Sequence, residues 1–148
     1  MGRFSKYSLE LLCLLLVVML MLSGCGVQEG QDQAPGESAG WEQITMEEAM
    51  ELMASEEGYV ILDVRRSDEF AQGHIPGAVN LANETIGAAE SAEDEEIAAV
   101  LPDQEQLILV YCRSGNRSKA ASQKLEDLGY TNVKEFGGIQ SWPGEIEY

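Results

Sequence analysis

Apolar residues in this chain gather in short runs separated by polar or periodic stretches. Residues 59–64 (Tyr, Val, Ile, Leu, Asp, Val) and 107–111 (Leu, Ile, Leu, Val, Tyr) are almost unbroken, the pattern of strands covered on both faces in a parallel sheet. Two weaker strands are expected, one leading out of the Pro76-Gly77 turn to Leu81 and one over residues 133–136. Between them the period changes. Thr45 followed by Glu48 is a capping box, and Ala49, Met50, Leu52 and Met53 supply the apolar face of the helix it starts, which should end near residues 55–58. Residues 67–70 read as a short capped helix stopped by Gly73. Residues 93–101 place four acids ahead of an apolar stretch, with Pro102 as the stop. Ala121, Leu125 and Leu128 share one face of a further helix, with Gly129 as its C′ residue. Gly137 to Pro143 reads as a turn into a last short helix, with Trp142 packed on the body. The order β-α-β-α-β-α-β predicts an α/β fold, a small and mostly parallel central sheet with helices on both faces.

The first 24 residues follow another logic. Arg3 and Lys6 precede twelve consecutive apolar residues, 11–22. As a helix these rise about 18 Å, short of the ~30 Å bilayer core. A basic start, an apolar middle and a small-residue cut site describe a secretory signal. Leu22, Ser23, Gly24 and Cys25 resemble the lipobox of bacterial lipoprotein signals, which implies cleavage before Cys25 and lipid attachment there. Residues 1–24 are thus expected to be a signal peptide. Residues 25–40 are expected to be a lipidated cysteine and a polar, Gly-rich tether. The protein would then be extracytoplasmic and held on a bacterial membrane by its lipid.

Charge narrows the partners. The chain carries a formal −17, and residues 25–148 carry −18. This field argues against nucleic acid and anionic membrane surfaces. It also repels small anions except where cations are placed locally, and Arg113, Arg117 and Lys119 cluster after the strand at 107–111. Of three cysteines, Cys13 lies in the apolar leader and Cys25 at the cut site, which leaves Cys112 as the free thiol of the folded part. With one histidine, His74, a Cys/His zinc cluster is excluded, and neither a metal nor a cofactor is expected. His74 sits among turn residues and is assigned a structural role. Nothing suggests an obligate dimer, so a monomer is expected.

Strand, short loop and helix place Cys112 at the carboxyl end of a strand and at a helix N-terminus, where open α/β sheets put their ligands. Backbone N–H groups and the helix dipole there favour an anion, so the thiol should have a lowered pKa and act as a nucleophile.

These residues resemble the single-domain rhodanese family of sulfurtransferases. Leu62, Asp63, Val64 and Arg65 with Glu69 and Phe70 match its first signature, and residues 73–80 (Gly, His, Ile, Pro, Gly, Ala, Val, Asn) its second. Cys112, Arg113, Ser114, Gly115, Asn116, Arg117 and Ser118 match its active-site loop, and Gly137, Gly138, Ile139 and Trp142 its C-terminal signature. The resemblance covers residues 41–148. It implies that Cys112 takes a sulfane sulfur from a small anionic donor such as thiosulfate, becomes a persulfide, and passes the sulfur to a thiol or to cyanide. The persulfide is an anion, so the N–H groups of residues 113–118 should converge on it. Gly115 lets the backbone curl closely. Arg113 and Arg117 can grip an oxyanion donor, and the Ser118 hydroxyl can donate to the sulfur or to the loop. Residues 113–118 are therefore assigned to substrate binding, with Asp63 and Arg65 supporting the loop. Cysteine phosphatases and rhodanese-like arsenate reductases place five residues between cysteine and arginine. Here there are four, a tighter cradle suited to one sulfur. A thioredoxin-like oxidoreductase would need a second nearby cysteine. The alternative from another class is a non-catalytic binding module, or a sulfide or redox sensor, at the cell surface.

Overall fold

The computed structural model describes residues 40–148, which fall within one compact unit, Glu37–Tyr148. The expected signal peptide, the lipidation of Cys25 and the tether up to residue 39 lie outside the described residues. Five strands form one sheet: β1 (Gly40–Gln43), β2 (Val60–Asp63), β3 (Val79–Asn80), β4 (Ile108–Cys112) and β5 (Asn132–Gly138). Their spatial order is β1-β5-β4-β2-β3, and every neighbouring pair is parallel. Five helices connect them: α1 (Met46–Ser55), α2 (Ser67–Phe70), α3 (Asn83–Ala88), α4 (Glu95–Val100) and α5 (Asn116–Asp127).

Strand alternation sorts the core into two layers. Ile108, Val110 and Cys112 of β4 face one side with Leu62 and Val133, and there they meet Ile86 of α3, Ile97 of α4, and Ala121 and Leu125 of α5. Leu109 and Tyr111 face the other side with Ile61 and Phe136, against Ala49 of α1. All five residues of β4 are buried. This is why their sequence shows no polar alternation, and it confirms a sheet covered on both faces.

Local chemistry sets the ends of the elements. Thr45 and Glu48 form the expected capping box: Thr45 Oγ1 accepts from the Glu48 N–H at 3.2 Å and Glu48 accepts from the Thr45 N–H at 2.7 Å. At α2 the cap shifts by one residue. Arg66 is the N-cap, and Glu69 reaches back to its N–H. Gly129, at φ +96°, follows α5 as the C′ residue. Two elements were not expected. The strand β1 starts at Gly40, inside the stretch read as tether, and pairs Gly40 to Gln43 with Asn132 to Glu135. The helix α3 lies ahead of the acidic run at residues 93–96, and Ile86 is its only buried residue. The final short helix is a single 3-10 turn, Ile139–Ser141, and Trp142 packs its ring 6.2 Å from that of Phe136.

Candidate active site

The strand β4 delivers Cys112 to its carboxyl end, and the chain turns through Arg113, Ser114 and Gly115 directly into α5. Gly115 is the N-cap at φ +101°, a left-handed conformation that a side chain would strain. That turn brings the Gly115 N–H back onto the Cys112 sulfur at 3.1 Å. The Ser118 hydroxyl, one turn into α5, lies 3.5 Å from the same sulfur. Cys112 is only 1% exposed. Burial pushes its thiol up, but the Ser118 hydroxyl and the backbone N–H groups of Ser118, Ser114 and Gly115 outweigh burial and leave the pKa below the ordinary value. The sulfur thus sits in a ring of donors at the positive end of a twelve-residue helix.

Of the residues assigned to substrate binding, Arg113, Ser114 and Asn116 are exposed and form the rim. Arg117 is differently placed. Its two terminal nitrogens hold both Glu69 carboxylate oxygens, at 2.6 and 2.8 Å. This bidentate pair depresses Glu69 to a pKa of about 2 and raises that of Arg117. The negative charges of Glu69, Cys112 and Glu84 add to the rise. Arg117 is therefore fixed before any ligand arrives, within electrostatic range of the sulfur. Arg113 makes no ion pair among the described residues.

Asp63 and Arg65 brace the sheet beside the loop. Arg65 donates to Asp63 through Nε and through Nη2 at 2.6 Å, and Nη2 also donates to the Gly73 carbonyl at 2.7 Å. Its guanidinium carbon lies 5.9 Å from the centre of the Tyr111 ring, so the pair supports the residue just before Cys112. Neither side chain hydrogen-bonds to residues 113–118 among the described residues. His74 stacks on Phe70 with centroids 3.8 Å apart, and its backbone is bridged to Glu147; its contacts are those of a structural residue.

The floor of the loop is β5. Cys112 pairs with Gly138, and a Cβ on Gly138 would collide with the Arg113 carbonyl. The Gln140 N–H also donates to that carbonyl at 3.3 Å. Glu135 was not singled out in the sequence. It is fully buried on the α5 side of β5, where it accepts from the Ser118 hydroxyl at 2.6 Å and from the Gly137 N–H at 2.9 Å. The available signal was strand parity: Val133 and Glu135 share a face, so a buried Val133 implies a buried carboxylate two residues before Gly137.

The rhodanese-like domain family model matches residues 45–145. A putative thiosulfate sulfurtransferase of Schizosaccharomyces pombe mitochondria is 42% identical over 87 residues, 56% of this chain and 60% of the relative. The thiosulfate sulfurtransferase PspE of Escherichia coli is 33% identical over 79 residues, 53% of this chain and 69% of the relative. The chain spans from 21% to 69% of the length of these and a further curated sulfurtransferase. Among solved structures, the human single-domain sulfurtransferase TSTD1 superposes with a TM-score of 0.59 at 29% identity, covering 68% of this chain and 93% of that one.

Proposed function

Because this chain belongs to the rhodanese-like domain family, we propose that it is a sulfurtransferase in which Cys112 carries sulfur as a persulfide. The observation that carries this reading is the buried Cys112 sulfur ringed by the Gly115 N–H and the Ser118 hydroxyl. It is supported by the names of relatives that are thiosulfate sulfurtransferases.

In the first half-reaction the Cys112 thiolate attacks the outer sulfur of thiosulfate. The S–S bond of the donor breaks, sulfite leaves with the bonding pair, and the negative charge moves to the terminal sulfur of the new persulfide. The donors that lower the thiol pKa face this charge as well, so little reorganisation is needed. In the second half-reaction a thiolate or cyanide attacks the terminal sulfur and the Cys112 thiolate leaves. Arg113, on the rim, meets the anionic donor. Arg117 is held by Glu69 and lies within electrostatic range of the sulfur. The protein acts as a monomer. Lipid on Cys25 anchors it outside the cytoplasm, which incorporation of labelled palmitate, lost in Cys25→Ser, would test.

The test of the transfer is intact mass of the full chain after thiosulfate and again after cyanide, with Cys112→Ala alongside. The expected result is a gain of one sulfur that cyanide removes as thiocyanate, and no gain in the variant. A persulfide loaded by polysulfide but never turned over would identify a carrier or sensor. Absence of any adduct would leave a binding module.

A further inference from the structure

Glu135 is the only buried glutamate among the described residues. Its Oε1 is satisfied by Ser118 and Gly137, but its Oε2 is buried without any hydrogen-bond partner. No described cation compensates it. Lys134, next in the strand, is paired with Glu42 at 2.6 Å, and Arg117, one residue from Ser118, is paired with Glu69. A lone buried carboxylate is costly, and a second anion on the buried Cys112 would make it costlier. One hydroxyl joins the two groups: Ser118 Oγ is 2.6 Å from Glu135 Oε1 and 3.5 Å from Cys112 Sγ. That hydroxyl has one proton and four acceptors within reach, the other two being the carbonyls of Gly115 and Gly137.

We infer that Glu135 receives the Cys112 proton by way of Ser118, so that the buried site holds one negative charge which moves between carboxylate and sulfur. The Cys112 S–H gives its proton to Ser118 Oγ while the Ser118 O–H proton passes to Glu135 Oε1. The thiol becomes a thiolate, the carboxylate becomes a carboxylic acid, and the net charge of the site is unchanged. The proton that Ser118 then carries points at the sulfur, where it stabilises first the thiolate and then the persulfide. Glu135 touches neither reacting atom, so it is a positioning residue that acts through Ser118. This inference rests on the sulfurtransferase reading for its purpose, but its test needs no sulfur transfer.

The experiment is the infrared difference spectrum of the full chain before and after alkylation by iodoacetamide at neutral pH, with Glu135→Gln and Cys112→Ala alongside. Alkylation removes the charge from the sulfur, so Glu135 must lose its proton. The expected result is the loss of a protonated-carboxyl C=O band and a matching carboxylate gain in the wild type. Both should be absent in Glu135→Gln, although mass shows Cys112 alkylated there. They should be absent too in Cys112→Ala, which accounts for reaction at Cys13 and Cys25. Stoichiometric alkylation of wild-type Cys112 without any carboxyl band change overturns the inference, and so does a band that survives in Glu135→Gln. If the Gln variant does not fold, carboxyl-13C glutamate in the wild type carries the assignment: a band that does not shift is not that of Glu135. A sulfur adduct without the band change would defeat the proton path alone, and a band change without an adduct would defeat the transfer reading alone.

Discussion

At Cys112 the balance between burial and hydrogen bonding decides reactivity. A thiol that is 1% exposed would ordinarily be inert, and here three N–H groups and one hydroxyl outweigh burial and leave its pKa below the ordinary value. Ser118 is the one side chain among them, so Ser118→Ala should raise the thiol pKa. A rise of one unit corresponds to about tenfold slower alkylation near neutral pH. The rate-against-pH profile of iodoacetamide reaction checks this, and a curve that overlays the wild type would show that the backbone donors alone suffice. The same change removes a partner of buried Glu135 and should destabilise the fold by about 1–3 kcal/mol, measured by urea unfolding.

Between elements, the Glu69–Arg117 pair ties α2 to α5 and the Gly138–Arg113 contact lays β5 under the loop. Glu69 titrates at about 2 in the fold, against 4.5 ordinarily. Its contribution is therefore fully present above pH 4.5 and is lost as pH falls through 2. The pair is partly exposed, so solvent screening reduces its worth to about 1–2 kcal/mol. Glu69→Gln should show that deficit at pH 7 and converge on the wild type near pH 2 in denaturant titrations. Gly138→Ala should be worse, since its backbone is in an ordinary extended conformation at φ −145° and only space is at issue. The added methyl meets backbone rather than a flexible side chain. A loss of about 2–4 kcal/mol, in the range of core overpacking and its larger consequences, is expected together with loss of sulfur loading. At this scale much of the fold was legible in the sequence. The runs at 59–64 and 107–111 are buried on both faces and so show as unbroken apolar stretches, and the Thr45–Glu48 box marks a helix start without reference to anything distant. The two unexpected elements lacked such marks. The strand β1 has Trp41 as its one large apolar residue and lies at the edge of the sheet. The helix α3 buries Ile86 alone, too few contacts to create a period. Glu135 carries no local mark because the reason for its burial, Ser118, is 17 residues away, and nothing local in a strand states what lies across from it.

For the molecule as a whole, the described residues hold seven Lys and Arg against 22 Asp and Glu, a formal −15. Such a field opposes the approach of a dianion, even beside the exposed Arg113. Salt screens that repulsion over a Debye length of about 10 Å at 0.1 M. The second-order rate of sulfur loading from thiosulfate should therefore rise several-fold between low salt and 0.2 M salt, while loading from a neutral sulfane donor stays flat. A rate that falls with salt would mean that the local cations of the loop dominate the approach.

The pairing of β1 with β5 has a mechanical side. The chain enters the described fold at Gly40, and its first strand is laid against the strand that bears Glu135, Gly137 and Gly138. Ile44, just past β1, donates to the Glu135 carbonyl at 2.9 Å. Any load on the chain ahead of Gly40 is thus borne first by four residues of edge strand. Because β1 and β5 run parallel, a pull along β1 slides it past its partner and strains the hydrogen bonds together rather than one after another. Tension at that end is transmitted to the strand beneath the sulfur loop before it reaches the rest of the sheet.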